Sequence, residues 1–170
     1  MSDASERVVL IGFMGAGKTT VGRLLARRLG ADFVDADDAL VAETGRSIPD
    51  LFRVRGEVGF RQLEGDLLGR LLRSARGVIA LGGGAIEHDE LAELVAPWLV
   101  IYLEVPYDVA RQRVGSDDGR PMLTRSDLES VYRRRVARYR RLADLTVDAT
   151  DAPSVIVDEI VSAFGALGDG

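Results

Sequence analysis

Gly12-Phe-Met-Gly-Ala-Gly-Lys18-Thr19 places three glycines, an ammonium and a hydroxyl at spacings that suit the holding of phosphate. The pattern G-x-x-x-x-G-K-[ST] arises by accident in roughly one per cent of chains this long. Its context here is the working one, because the apolar run Val8–Ile11 precedes it and a helical pattern opens at its end. Glycines let the backbone turn its N–H groups inward around phosphate oxygens, and the helix amino terminus adds partial positive charge. Lys18 is then expected to bridge the terminal phosphates, and Thr19 to offer its hydroxyl to Mg²⁺. Lys18 is also the only lysine among 22 basic residues. A slim ammonium fits inside a tight phosphate loop where a branched guanidinium does not.

Further along stand residues that could act on an acceptor. Asp35-Ala-Asp37 closes the second apolar run. Asp35 could help hold Mg²⁺, and Asp37 could contact an acceptor hydroxyl and take its proton; the competing reading is capping of the next helix. Arg61 and Glu64 lie three apart, as a surface helix pair would. Gly82-Gly83-Gly84 follows a third apolar run, where glycines permit unusual φ and close approach of a ligand. No aspartate ends that run, which leaves the metal to Thr19 and Asp35. Leu128, Tyr132, Arg135, Tyr139 and Leu142 share one helical face, so Arg135 interrupts an apolar stripe. A desolvated guanidinium needs an anion, supplied either by a carboxylate-bearing substrate or by a protein carboxylate. Arg120, in the turn-rich stretch Gly115–Pro121, could close over phosphates as part of a lid. His88 is the single histidine and reads as structural, at a helix start.

These groups need a scaffold that gathers them. Val8–Ile11, Phe33–Val34, Val78–Leu81, Leu99–Leu103 and Leu145–Val147 are short and apolar without strict alternation, as strands buried on both faces are. Helical spacing runs over Lys18–Leu29, Glu57–Leu72, His88–Val95, Tyr107–Arg113, Leu128–Leu142 and Val155–Phe164. The alternation predicts an α/β fold with a parallel sheet between helices, in a single domain spanning 1–170. In such sheets ligands bind at the carboxyl ends of strands, where the polar residues above cluster.

Composition narrows the classes further. The chain has no cysteine, which excludes disulfides and thiol chemistry. A net charge of −5 argues against nucleic acid, although the arginine-rich stretch 133–141 is the one segment that could oppose that reading. No apolar stretch reaches membrane-spanning length and no signal peptide is apparent, so a cytoplasmic location is expected.

Six ordered matches make the chain resemble shikimate kinases: GFMGAGKTT, Asp35-Ala-Asp37, Gly56-Glu57-x-x-Phe60-Arg61-x-x-Glu64, Gly82-Gly83-Gly84-Ala85, Arg120-Pro121-Met-Leu, and Arg135 ahead of Tyr139-Arg140. The resemblance implies a P-loop NTPase fold of the nucleoside-monophosphate-kinase type. Its features would be a five-stranded parallel sheet, a mobile lid at about 114–125 and a substrate-binding region at about 35–64. It implies transfer of the ATP γ-phosphoryl to the 3-hydroxyl of shikimate with Mg²⁺, by a monomer. Nucleotide would meet Gly12, Gly15, Ala16, Gly17, Lys18, Thr19, Thr20, Arg113, Arg120 and Pro153, with Arg113 beside adenine and the turn Asp151–Pro153 opposite. Asp37 would meet the shikimate hydroxyls, Arg61 and Arg135 its carboxylate, and Gly82, Gly83 and Gly84 its ring, with Glu64 orienting Arg61 or a ring hydroxyl. Lys18, Asp37 and Arg120 would be catalytic. The alternative is another small-molecule kinase of this fold, such as a gluconate kinase.

Overall fold

All five apolar runs are strands: β1 (Arg7–Ile11), β2 (Phe33–Asp35), β3 (Gly77–Ala80), β4 (Leu99–Glu104) and β5 (Leu145–Asp148). The structure is a computed structural model that describes residues 7–114 and 125–168. The strands pair in parallel in the order β2-β3-β1-β4-β5. The central strands are sealed on both faces; Val8, Val9 and Leu10 of β1 and Val78 and Ile79 of β3 have no exposed surface. That explains their lack of polar alternation.

Seven α-helices complete the described residues: α1 (Lys18–Leu29), α2 (Ala36–Thr44), α3 (Ile48–Ser74), α4 (Leu91–Val95), α5 (Tyr107–Val114), α6 (Arg125–Leu142) and α7 (Pro153–Gly168). Helix α1 buries Val21, Gly22, Leu25 and Ala26 and packs on α7 and β3. Gly22 is obligatory there, because a Cβ would overlap the Phe33 ring. Pro153 takes the first position of α7, where its missing N–H costs nothing.

Three elements depart from the sequence reading. Helix α2 carries three acids and buries only Ala36 and Leu40, so its apolar stripe is too thin to show as a period. Its amino terminus is fixed instead by Asp35, whose Oδ1 accepts from the N–H groups of Asp37 (2.9 Å) and Asp38 (3.1 Å). Helix α3 begins nine residues before the expected Glu57, capped by Ser47 Oγ on Asp50 N–H (3.2 Å). It bends at Gly56, where φ is 68° and ψ 178°. That bend breaks the helical phase of the apolar residues, which hid the first half. Leu40, Leu51, Phe60 and Leu67 form a small separate core beneath α2 and α3, with Phe52 stacked on Phe60 at 4.1 Å. The expected helix His88–Val95 is a 3₁₀ turn (Ala85–Glu87) followed by α4, with His88 between them.

Candidate active site

Because β3 lies between β2 and β1, three strand ends sit side by side: Asp35–Asp37, then Gly82–Gly84, then the loop Gly12–Lys18. The loop's conformation is available only to glycine. Gly12, Gly15 and Gly17 have φ of 154°, 77° and 89°. A Cβ on Gly12 would stand 2.7 Å from the Leu103 carbonyl, and one on Gly15 2.6 Å from that of Ala110. Ala16 closes the turn by donating its N–H to Phe13 O at 3.1 Å. Gly17 caps α1 in the left-handed region and brings no side chain to the helix's first N–H groups. Those donors favour an anion at this end. Lys18 Nζ donates to the carbonyls of Gly12 (2.7 Å) and Phe13 (3.0 Å), so the ammonium lies folded over the loop.

Thr19 Oγ1 donates to Asp35 Oδ2, joining the start of α1 to the end of β2. Asp35 therefore caps α2 with one oxygen, as the capping reading expected, and meets the threonine with the other. The two oxygens form a hard donor pair suited to Mg²⁺, which takes one or two protein ligands beside phosphate and water. No group of three or more acidic, histidine or cysteine side chains among the described residues makes a self-sufficient metal cage. A cleft of about 270 Å³ opens beside them, bounded by Gly15, Lys18, Thr19, Thr20, Asp35 and Asp37. Asp37, Gly82 and Gly83 are common to this cleft and to a smaller hollow lined by Phe52, Phe60, Arg61, Glu64 and Gly84. A phosphate chamber thus adjoins an acceptor chamber, with Asp37 on their border.

The glycine run works by sterics rather than by unusual φ, since none of its three residues has a left-handed φ. Each faces a different functional side chain. A Cβ on Gly82 would stand 2.7 Å from Asp37 Oδ1, and one on Gly84 would overlap the Arg61 guanidinium. On Gly83 it would lie 3.3 Å from Met14 N and 3.8 Å from Arg135 Nη1. The Gly83 carbonyl is fixed from below by the buried Tyr139 hydroxyl at 2.5 Å.

Arg61 and Glu64 are not a surface pair. Glu64 is 5% exposed, and its Oε1 accepts from Arg61 Nη1 at 2.6 Å. His88 Nε2 meets the same oxygen at 2.9 Å, a role that nothing in the sequence marks because β3 and α3 bring the two together. Burial works against ionisation of Glu64, but the His88 bond and the Arg61 charge outweigh it and hold the carboxyl below its ordinary range. Arg135 is 6% exposed. Its Nε donates to Glu87 Oε1 at 3.0 Å, while its Nη1 is buried with no hydrogen-bond partner. A protein carboxylate thus occupies one side of the guanidinium and leaves the other for a ligand.

Arg113 donates to the carbonyls of Gly15 (3.3 Å), Ala149 (2.9 Å) and Thr150 (3.2 Å). It therefore ties the phosphate loop to Ala149 and Thr150, just ahead of the turn Asp151–Pro153. Arg120 and most of the expected lid lie outside the described residues. Most arginines of α6 are paired with carboxylates, three of them sharing Glu87. Arg133 pairs with Glu129, Arg134 and Arg138 with Glu87, and Arg140 with Glu104. A stripe so paired offers little to a nucleic-acid backbone.

Residues 14–164 match the family model described as shikimate kinase. A shikimate kinase of Thermobifida fusca is 42% identical over 95% of this chain and 96% of its own length. One from Aromatoleum aromaticum is 44% identical over 83% of each. Among solved structures, a shikimate kinase from Acinetobacter baumannii in complex with shikimate superposes with a TM-score of 0.86. It is 35% identical and the match covers 95% of this chain and 93% of that one. A gluconokinase from Sinorhizobium meliloti superposes at 0.59 with 16% identity, a likeness of fold alone. With the family model matched over residues 14–164 and relatives more than 40% identical over most of both chains, the chain belongs to the shikimate kinase family.

Proposed function

We infer that the protein transfers the γ-phosphoryl group of ATP to the 3-hydroxyl of shikimate, releasing ADP and shikimate 3-phosphate on the route to aromatic amino acids. The observation that carries this reading is the orphaned Nη1 of Arg135, buried close to Gly83, a residue that lines the cleft beside the phosphate loop. A buried donor without a partner costs about 1–3 kcal/mol. A carboxylate-bearing acceptor would remove that cost, and Arg61 across the glycine run supplies a second cation for it.

In this reading the backbone N–H groups of Gly15–Thr20 bind the phosphate chain, and Lys18 leaves its loop carbonyls to lie along the β- and γ-phosphates. Thr19 and Asp35 would hold Mg²⁺, which neutralises charge on those phosphates. Asp37 faces the acceptor hydroxyl and orients it, taking its proton as the new P–O bond forms and the bond to ADP breaks. Because the transition state is loose, positioning supplies much of the rate. Arg113 and Pro153 border the adenine end, and Arg120 is assigned to the lid over the phosphates. A monomer is the working unit in this proposal. No helix among the described residues is long and apolar enough to cross a membrane; a cytoplasmic location is part of this proposal.

Release of ADP from ATP and Mg²⁺ should require shikimate and should not be supported by gluconate. Equal turnover with gluconate, or turnover independent of either acceptor, overturns the assignment.

A further inference from the structure

Glu87 occupies a position that the phosphotransfer scheme does not use. It ends the 3₁₀ turn Ala85–Glu87, which leaves the glycine run directly. Its Oε1 accepts from Arg135 Nε at 3.0 Å and from Arg134 Nη2 at 2.7 Å, and its Oε2 accepts from Arg138 Nη1 at 3.1 Å. The three arginines differ in exposure. The side chains of Arg134 and Arg138 are 54% and 43% exposed, and that of Arg135 is 7% exposed. The outer two hold the carboxylate in place from solvent, and the carboxylate holds the buried one.

A guanidinium is planar, so fixing one N–H direction fixes the others. With Nε committed to Glu87, Nη1 is directed at Gly83, where it has no partner. The side of Arg135 that includes Nε is thereby closed to a ligand, and the Nη groups are left for one. One carboxylate among three guanidinium groups also leaves this wall of the cleft net positive. The turn that follows the glycine run therefore carries the anchor for Arg135.

We propose that Glu87 is a positioning residue for the reaction, which orients Arg135 so that its Nη edge receives the acceptor's carboxylate and so sets the affinity for that acceptor. This rests on the reading of Arg135 as a carboxylate clamp. If Glu87 were only a tie between the turn and α6, its loss would lower stability without touching the acceptor KM.

Steady-state kinetics of the full chain, varying shikimate and ATP separately, distinguish these cases across Glu87→Ala, Glu87→Gln, Arg135→Ala and the double variant Glu87→Ala/Arg135→Ala. Glu87→Ala should raise the shikimate KM on the order of tenfold and leave the ATP KM within about twofold. Glu87→Gln keeps an acceptor oxygen for Nε and should recover a large part of the loss. In the Arg135→Ala background, removal of Glu87 should add nothing to the shikimate KM. An unchanged shikimate KM in both Glu87 variants, an equal rise in both KM values, or a full additional effect in the double variant each overturn the proposal. If Arg135→Ala itself leaves the shikimate KM unaltered, the clamp reading fails first and the role of Glu87 falls with it. Should Glu87→Ala fail to fold, Glu87→Gln in single and double form carries the same comparison.

Discussion

Side chains in this site are held by close approach as much as by hydrogen bonds. Gly84 has φ of −89°, which any residue can adopt, yet its missing Cβ is what lets the Arg61 guanidinium lie against the strand end. Gly84→Ala should therefore be an affinity mutation and not a folding one, because the atoms in conflict are the far end of a flexible side chain. The expected result is a shikimate KM raised on the order of tenfold with the ATP KM unchanged. The melting temperature should shift by less than about 3 °C. A large loss of stability with both KM values preserved counts against this account. Gly12 presents the opposite case, with φ of 154° and a backbone carbonyl in the way, so its substitution strains the loop itself. Glu64 belongs to this scale too, since a buried carboxylate between Arg61 and His88 is charged only because both partners outweigh its burial.

At the level of elements, the acceptor chamber depends on the bend in α3. Gly56 sits at φ 68° and ψ 178°, a combination essentially reserved for glycine, and has open space where a Cβ would be. Any penalty for Gly56→Ala is thus backbone strain without steric clash. The expected cost is about 2 kcal/mol, which for a domain of this size lowers the melting temperature by about 6 °C. A thermal melt showing no change would mean that the helix straightens freely. In that event the registration of Phe52, Phe60 and Arg61 should change and acceptor affinity should fall. The small core of Leu40, Leu51, Phe60 and Leu67 is separate from the main core, which holds α2 by Ala36 and the last turns of α3 by Leu68 and Leu72.

Over the whole molecule, the functional ion pairs tie distant segments together and make stability depend on acid. Glu64 links α3 to the segment after β3, and Glu87 links that segment to α6. Both carboxyls are held below their ordinary value of 4.5. For Glu87, burial opposes ionisation, and the hydrogen bonds from Arg134 and Arg135 prevail. A depressed folded-state pKa stabilises the fold above the unfolded value and loses that contribution as pH falls through the folded one. Urea midpoints should therefore be flat near neutrality and decline as pH drops below about 4.5. Glu64→Gln should start lower at pH 7 and show a shallower decline, and parallel curves for the two proteins would contradict the assignment. Arg113 provides a further long-range tie, from the phosphate loop to the turn before α7, so nucleotide binding and the β5 end of the sheet are mechanically joined.

The residue types and spacings alone determined the phosphate loop, the strand set and the parallel α/β architecture. Each of these is a local property: a glycine pattern forced by φ, or an apolar run forced by burial on both faces. They also singled out Asp37 and Arg135 as groups suited to a hydroxyl or an anion, whereas Arg61 read as half of a surface pair and only the family resemblance gave it a carboxylate. What they left open was the partner of each group, because partners here come from segments far apart in the chain. Arg135 lies 48 residues from Glu87, and Glu64 lies 24 from His88. Thr19 lies 16 from Asp35. Helix α2 and the first half of α3 were illegible for a related reason, being held by caps and by a small core assembled only after the chain has folded back on itself. Whether Arg135 meets a protein carboxylate or a substrate one was a choice posed by its place on an apolar stripe. The tertiary structure supplies the protein carboxylate, Glu87 on Nε, and leaves Nη1 buried without a partner close to Gly83.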